Sequence, residues 1–314
     1  MRLRRLAVQG WRHHAEVDLS IEGNLNELPP PPLGAAAHDA LAMLRAALDP
    51  SAALAGLVAL GIPAAGVEHA LDDQLTDHFD GLDPDATAGL FAPGDPRSLV
   101  VHLDAEPDPP LYRRLREAAV KVPELAAEVA AGGLLHLRVG WLLNRAGSHI
   151  TSNPLALRIG GVQLSTASHD RMAWVPGLLH EIGRRVLTLD LNQPISHVAD
   201  HLLAAQLSDD AAQRRAVQRA AATLASPPFS LGELQIVRRG AVLDLCFGPD
   251  LTPCRVLGPR AAFAVRLVHA VLVLEPDVLC VHGHRGDPYL RWAAERTDGD
   301  GATLEQLLIV GPPG

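Results

Sequence analysis

Aromatic residues, lysine and cysteine are all scarce in this 314-residue chain, and each shortage narrows what it can be. Aromatics make up 4% of the sequence against a hydrophobic total of 48%, so a core is affordable but Ala, Leu and Val must pack most of it. Arginine far outnumbers lysine; with the abundance of alanine this points to a GC-rich coding bias, so residue choice on exposed surfaces carries little information. The formal net charge of -9 gives a nucleic-acid binder no support from bulk charge, although a local basic patch would escape that count. Three cysteines, Cys246, Cys254 and Cys280, form no C-x-x-C pair, which argues against a disulfide framework and a zinc ribbon and fits a reducing cytosol. The apolar run over residues 267–274 includes His269 and is far too short to span a bilayer. The opening MRLRRLAVQGW is basic but lacks a following apolar stretch, so it does not read as a secretory signal. A cytoplasmic protein with no membrane contact is expected.

The chain does contain clear periodicity. Leu3, Leu6 and Val8, then Val17, Leu19 and Ile21, predict two strands joined through residues 10–14, with a short third strand over 25–28. Four prolines, Pro29 to Pro32, followed by Leu33 and Gly34, exclude regular structure over 29–34, and a helix is predicted over 38–48. Residues 50–97, broken by Gly, Pro and Asp, predict short helices and loops. Strands are predicted over 98–103, 134–141 and 184–191, with a helical stretch over 111–131 and irregular or β-rich surface over 144–177. Helices follow over 195–207 and 211–225, then a hairpin around Arg239-Gly240. The end reads helix (259–274), strand (278–281), helix (290–296), strand (307–310). No internal repeat or coiled-coil heptad run is present.

The two ends together resemble the SMC/RecF branch of ABC-type ATPases. The opening MRLRRLAVQGWRHHAEVDLSIEGNLN resembles that family's strand pair, with Trp11-Arg12 at its aromatic-Arg turn. The third strand then leads to residues 31–38, at the place of the phosphate loop; Gly34 is the one loop glycine left, Ala37 stands at the lysine position and His38 at the hydroxyl position. Near the other end, Leu257-Gly258-Pro259-Arg260-Ala261 corresponds to the signature, and Val278-Leu279-Cys280-Val281 to the Walker B strand, ending in His282-Gly283 where the family has Asp-Glu. Gly286-Asp287-Pro288 sits near the expected D-loop, and the last strand ends in Gly311-Pro312 in place of the Thr-His switch. The resemblance covers roughly the first 50 and last 80 residues. It implies a single α/β domain over 1–314 with a P-loop-NTPase-like mixed sheet formed from both chain ends, and a variable helical or irregular insertion over about 50–200. It further implies a lost activity. Alanine cannot neutralise phosphate charge, proline removes N–H donors, and histidine is a poor ligand for magnesium. The function implied is a non-hydrolysing interaction subunit without ATP or another cofactor. It would pair with an active ATPase, another effector or its own copy, in DNA repair, chromosome maintenance or anti-phage defence, and would meet DNA only through such a complex.

A second chemistry competes. His282, His284 and Asp287 resemble the first ligands of zinc hydrolases, including the metallo-β-lactamase type, with His180, Glu181, His169 and Asp170 as candidates to complete the set. The spacing departs from that pattern, since Asp287 follows His284 by three residues and precedes Pro288. Ser148-His149, Ser168-His169-Asp170 and Ser196-His197 read as ordinary loop polarity, because adjacent residues rarely face each other and no G-x-S-x-G elbow exists. Arg4, Arg5 and Arg12 read as solvated surface, His269 as a satisfied core histidine, and Cys280 as a small buried hydrophobe.

Overall fold

The computed structural model describes residues 1–11, 14–29, 33–48, 97–120, 123–143, 150–164, 175–189, 195–297 and 303–311. The predictions for 50–96, Arg12, His149, Ser168, His169 and Asp170 lie outside them. Strands β1 (Arg2–Trp11) and β2 (His14–Ser20) form an antiparallel pair. The spacing of Leu3, Leu6 and Val8 breaks period two, and a register shift between Leu3 and Arg5 against a neighbouring strand absorbs it, so that all three side chains are buried. β3 (Leu25–Leu28) leaves this layer, and helix α1 (Leu33–Leu48) follows. α1 starts five residues earlier than its periodicity predicts, because Leu33 to Ala37 are themselves good helix formers apart from Gly34.

The middle of the chain is not an insertion of helices and loops alone. β4 (Arg97–Glu106), β5 (Leu135–Leu143), β6 (Ile150–Ile159) and β7 (Val162–Leu164) join the first hairpin in one sheet, ordered β2-β1-β4-β5-β6-β7 and antiparallel throughout. Helices α2 (Pro109–Ala119) and α3 (Pro123–Ala130) lie between β4 and β5. The segment predicted as strand over 184–191 begins inside helix α4 (Val175–Arg185) and gives only a three-residue strand, β8 (Val186–Thr188).

The remaining elements build a second layer system. Helices α5 (Ile195–Leu207) and α6 (Ala211–Ala225) fall on their predicted bounds, with Asp210 capping α6 through Ala212 N–H at 2.7 Å. The hairpin β9 (Leu234–Arg239) and β10 (Val242–Phe247), with the two-residue β11 (Thr252–Pro253), forms a small sheet of its own. Helix α7 (Pro259–His269) widens into a π-helical turn over Ala270–Leu274, and Glu275 ends it in the left-handed conformation. β12 (Val278–His282), α8 (Pro288–Ala294) and β13 (Gln306–Val310) complete the chain.

The fold is mixed α/β, but its strands are shared among three sheets in place of one mixed sheet. The central one is parallel and ordered β3-β13-β12-β8. Its alternation separates two cores. Val278, Cys280, Leu308 and Val310 face α1 and the antiparallel sheet, while Leu279, Val281, Leu307 and Ile309 face α5, α6, α7 and α8. α1 lies between sheets and is buried almost all round by Ala36, Ala37, Ala40, Leu41, Leu44 and Leu48. Its alanines allow close approach on both sides, which explains how so few aromatics suffice.

Two polar devices tie distant parts together. Gln306 is fully buried; its Oε1 accepts from Leu3 N–H at 2.6 Å, and its Nε2 donates to Leu3 and Gly23 carbonyls at 3.1 Å each. Arg185, at the end of α4, donates to Asp108, to Asp277 at 2.9 Å and to Glu181 at 2.7 Å. Burial alone would lower the Arg185 pKa, but Asp277, Asp108 and Glu181 outweigh it and raise the value.

Candidate functional site

β3, β13 and β12 run in one direction, so their carboxyl ends share an edge, with Leu28 beside Val310 and Val310 beside His282. In open parallel sheets, ligands bind outside this edge. His282 is the last residue of β12 and lies on the Val278–Cys280 face, toward α1. From the helix side comes His38. The two imidazole rings meet with centroids 4.3 Å apart and planes tilted by 46°. Residues 244 positions apart in sequence thus meet at the carboxyl edge of the parallel sheet.

This pair is polar and largely unsatisfied. His38 is only 4% exposed, and neither ring nitrogen has a hydrogen-bond partner. Its Nδ1 stands 3.6 Å from Asp39 Oδ1, too far for a hydrogen bond. Nδ1 of His282 is also buried without a partner. Burial first, and then the neighbouring His38, lower the His282 pKa, with Asp39 opposing. Each orphaned buried polar group costs roughly 1–3 kcal/mol, so three of them in one contact demand an occupant or a role.

Other positions that the resemblance assigns to a phosphate site are packing elements in the structure. Gly34 is buried in the first turn of α1, where a Cβ would sit 2.2 Å from the Pro29 carbonyl oxygen and 3.2 Å from Val310. Its smallness lets the helix pass close to the chain leaving β3. Ala37 is fully buried in the same continuous helix, in contact with the core. From Ala37 onward a helical N–H is committed to the carbonyl four residues back, so this stretch does not present the row of free donors that a phosphate loop requires. At Gly283 an added Cβ would meet Leu290 at 2.5 Å, so α8 packs directly against it.

Pro259 opens α7 behind the Gly258 cap, and Arg260 stacks over Tyr289 at 4.8 Å. No hydrogen bond, ion pair or ring contact joins Arg260 to the histidine pair among the described residues. The carboxylate of Asp287 accepts from Tyr289 N–H at 2.7 Å and caps α8, with Pro288 at the first helical position. His284 is exposed in the turn before it. Glu181 is engaged with Arg185 and Arg114. Among the described residues, no group of three or more His, Cys, Asp or Glu side chains is placed to hold a metal.

No protein-family model matches this chain, and no curated protein matches it. Its structural neighbours include RecF. A solved structure of the recombination mediator protein RecF-ATP in the RecFOR pathway aligns over 99% of this chain and 93% of its own, at 10% identity and a TM-score of 0.47. The RecF-ATPrS structure from the same pathway aligns over 99% and 92%, again at 10% identity, with a TM-score of 0.42. Among the described residues, no helix is long and apolar enough to cross a membrane.

Some residues that matter here carried no sequence signal. Asp39 stands beside His38, and Gln306 is one amide among many until the fold buries it against Leu3. His269 is a core histidine with a partner: its Nε2 lies 2.7 Å from Nδ1 of His201, with the rings edge to face. Burial first, then His201, lowers the His269 pKa to about 3.

Proposed function

We propose that this chain is a catalytically silent protein on the frame of an ABC-type ATPase of the SMC/RecF branch, acting as a non-hydrolysing interaction subunit. The observation that carries this reading is Ala37, at the position of the phosphate-binding lysine, buried inside an uninterrupted helix. The chain's single lysine is Lys121, remote in sequence from that position. Four successive prolines before the helix remove four N–H donors, and His282-Gly283 supplies no carboxylate for magnesium. Phosphate clamp, metal ligand and general base are therefore absent together, and each is essential to phosphoryl transfer.

Contact is then the function left to the frame, with an active ATPase, another effector or a second copy. A setting in DNA repair, chromosome maintenance or anti-phage defence follows from the resemblance of the two chain ends. The test is a magnesium-ATP titration with a turnover assay, paired with mass measurement alone and with candidate ATPase subunits. Neither ATP binding nor hydrolysis is expected, together with a defined complex; turnover dependent on magnesium refutes the reading. The zinc-hydrolase reading of His282, His284 and Asp287 has nothing comparable in its favour, since the Asp287 carboxylate is engaged as a helix cap.

A further inference from the structure

We propose that His38 and His282 form a two-imidazole site for a borderline divalent transition-metal ion such as Zn²⁺. This goes beyond the interaction role and does not depend on it. The inference starts from the orphaned nitrogens: both of His38 and Nδ1 of His282 are buried without hydrogen bonds, and the rings are 4.3 Å apart. A His38 side chain 4% exposed cannot be satisfied by bulk solvent. Imidazole nitrogen suits zinc, nickel, cobalt and copper, whereas magnesium prefers oxygen.

The ring separation leaves room for one shared ion once a nitrogen of each ring turns toward it. With metal–nitrogen bonds of about 2.0–2.1 Å, an ion lies roughly 3.2 Å from each ring centre. The observed centroid separation then corresponds to a ligand angle of about 85°, close to that of neighbouring ligands in octahedral or square-planar ions; opening the rings by less than about 1 Å gives the tetrahedral angle. Asp39 Oδ1, 3.6 Å from His38 Nδ1, adds negative charge beside the ion. His282 is partly exposed at the end of β12, which leaves an entry path from the sheet edge. With no third protein ligand grouped there among the described residues, the other positions fall to water or an exogenous ligand. This centre differs from one built on His282, His284 and Asp287, because it uses α1 and leaves His284 out.

The test is titration of the full chain with Zn²⁺ by calorimetry near pH 7.5, repeated with Co²⁺ to read ligand-field absorption. One ion per chain is expected, with imidazole-type Co²⁺ bands. Changing only an outer partner of a metal ligand costs about 10–100-fold in affinity, so His38→Gln or His282→Gln should each weaken binding by at least about tenfold. His284→Ala should leave it unchanged. Affinity should fall on acidification, as imidazole protonates. If His38→Gln fails to fold, His282→Gln carries the test, since His282 is only partly buried and its fold can be checked by circular dichroism. No stoichiometric binding, or binding that survives His282→Gln, overturns the proposal and leaves ordered water as the partner of these nitrogens. Loss of binding in His284→Ala would move the ion to the His-Gly-His turn and equally overturn it. Magnesium-dependent ATP turnover would defeat the proposed function yet leave this result standing.

Discussion

Replacing Gln306 by leucine removes three hydrogen bonds while nearly preserving shape. Gln306 is fully buried, and its amide serves Leu3 N–H, Leu3 C=O and Gly23 C=O. Leucine leaves the Leu3 N–H without that acceptor, at about 1–3 kcal/mol for a buried orphan, and the two carbonyls lose one donor group between them. Carbonyls tolerate under-satisfaction better than N–H groups, so the sum is about 2–4 kcal/mol. With a urea slope of about 3 kcal/mol/M for a chain of this size, the midpoint should drop by roughly 1 M at unchanged slope. Gln306→Glu sharpens the test. At neutral pH a carboxylate would face two carbonyls, whereas in acid its protonated form regains a donor, so this variant alone should recover relative to wild type as pH falls. A stability loss below about 0.5 kcal/mol for Gln306→Leu, or no acid recovery for Gln306→Glu, would refute the claim that this amide fastens β13 to β1.

Ala37→Lys, which introduces the residue type that the resemblance would expect in a phosphate loop, should lower stability by about 3 kcal/mol or more in a thermal or urea melt, and should not create ATP affinity, because position 37 is fully buried within α1. Arg185→Met should cost about 1–3 kcal/mol in the same assays, since Asp108 and Asp277 then keep only the Met1 ammonium, and Glu181 only Arg114, as cationic partners. For His269 the sign follows from its lowered pKa of about 3. The unfolded chain takes up that proton near pH 6.5, so the stabilisation is complete above that pH and fades as pH falls from about 6.5 towards 3, at up to roughly 1.4 kcal/mol per pH unit. His269→Leu should flatten that part of the stability–pH curve; an unchanged slope would show that the buried ring does not set it.

Local elements were legible wherever local forces decide them. The apolar stripes of α5 and α6, and Arg239-Gly240 between two apolar runs, each specify their element within a few residues. The periodicity predicts a shorter α1 because the run from Pro29 to Pro32 masks how soon a helix can begin after it. Alternation in residues 184–191 favoured a strand, but the face of α4 that buries Leu178 and Ile182 extends the helix to Arg185. Sheet membership was hidden for a different reason: β1 finds β4 about a hundred residues away, and no local pattern encodes a partner at that distance. The candidate site shows both limits. His282 and His38 were visible as departures from a motif, while their contact depends on the β3-β13-β12 order and on where α1 starts.

Equilibrium binding of ATP with magnesium to the purified chain, followed by phosphate release over many hours, addresses the central claim most directly. With Ala37 buried in α1 and His282-Gly283 at the end of β12, neither saturable binding nor magnesium-dependent release is expected. Stoichiometric ATP binding accompanied by turnover above the uncatalysed rate would contradict it.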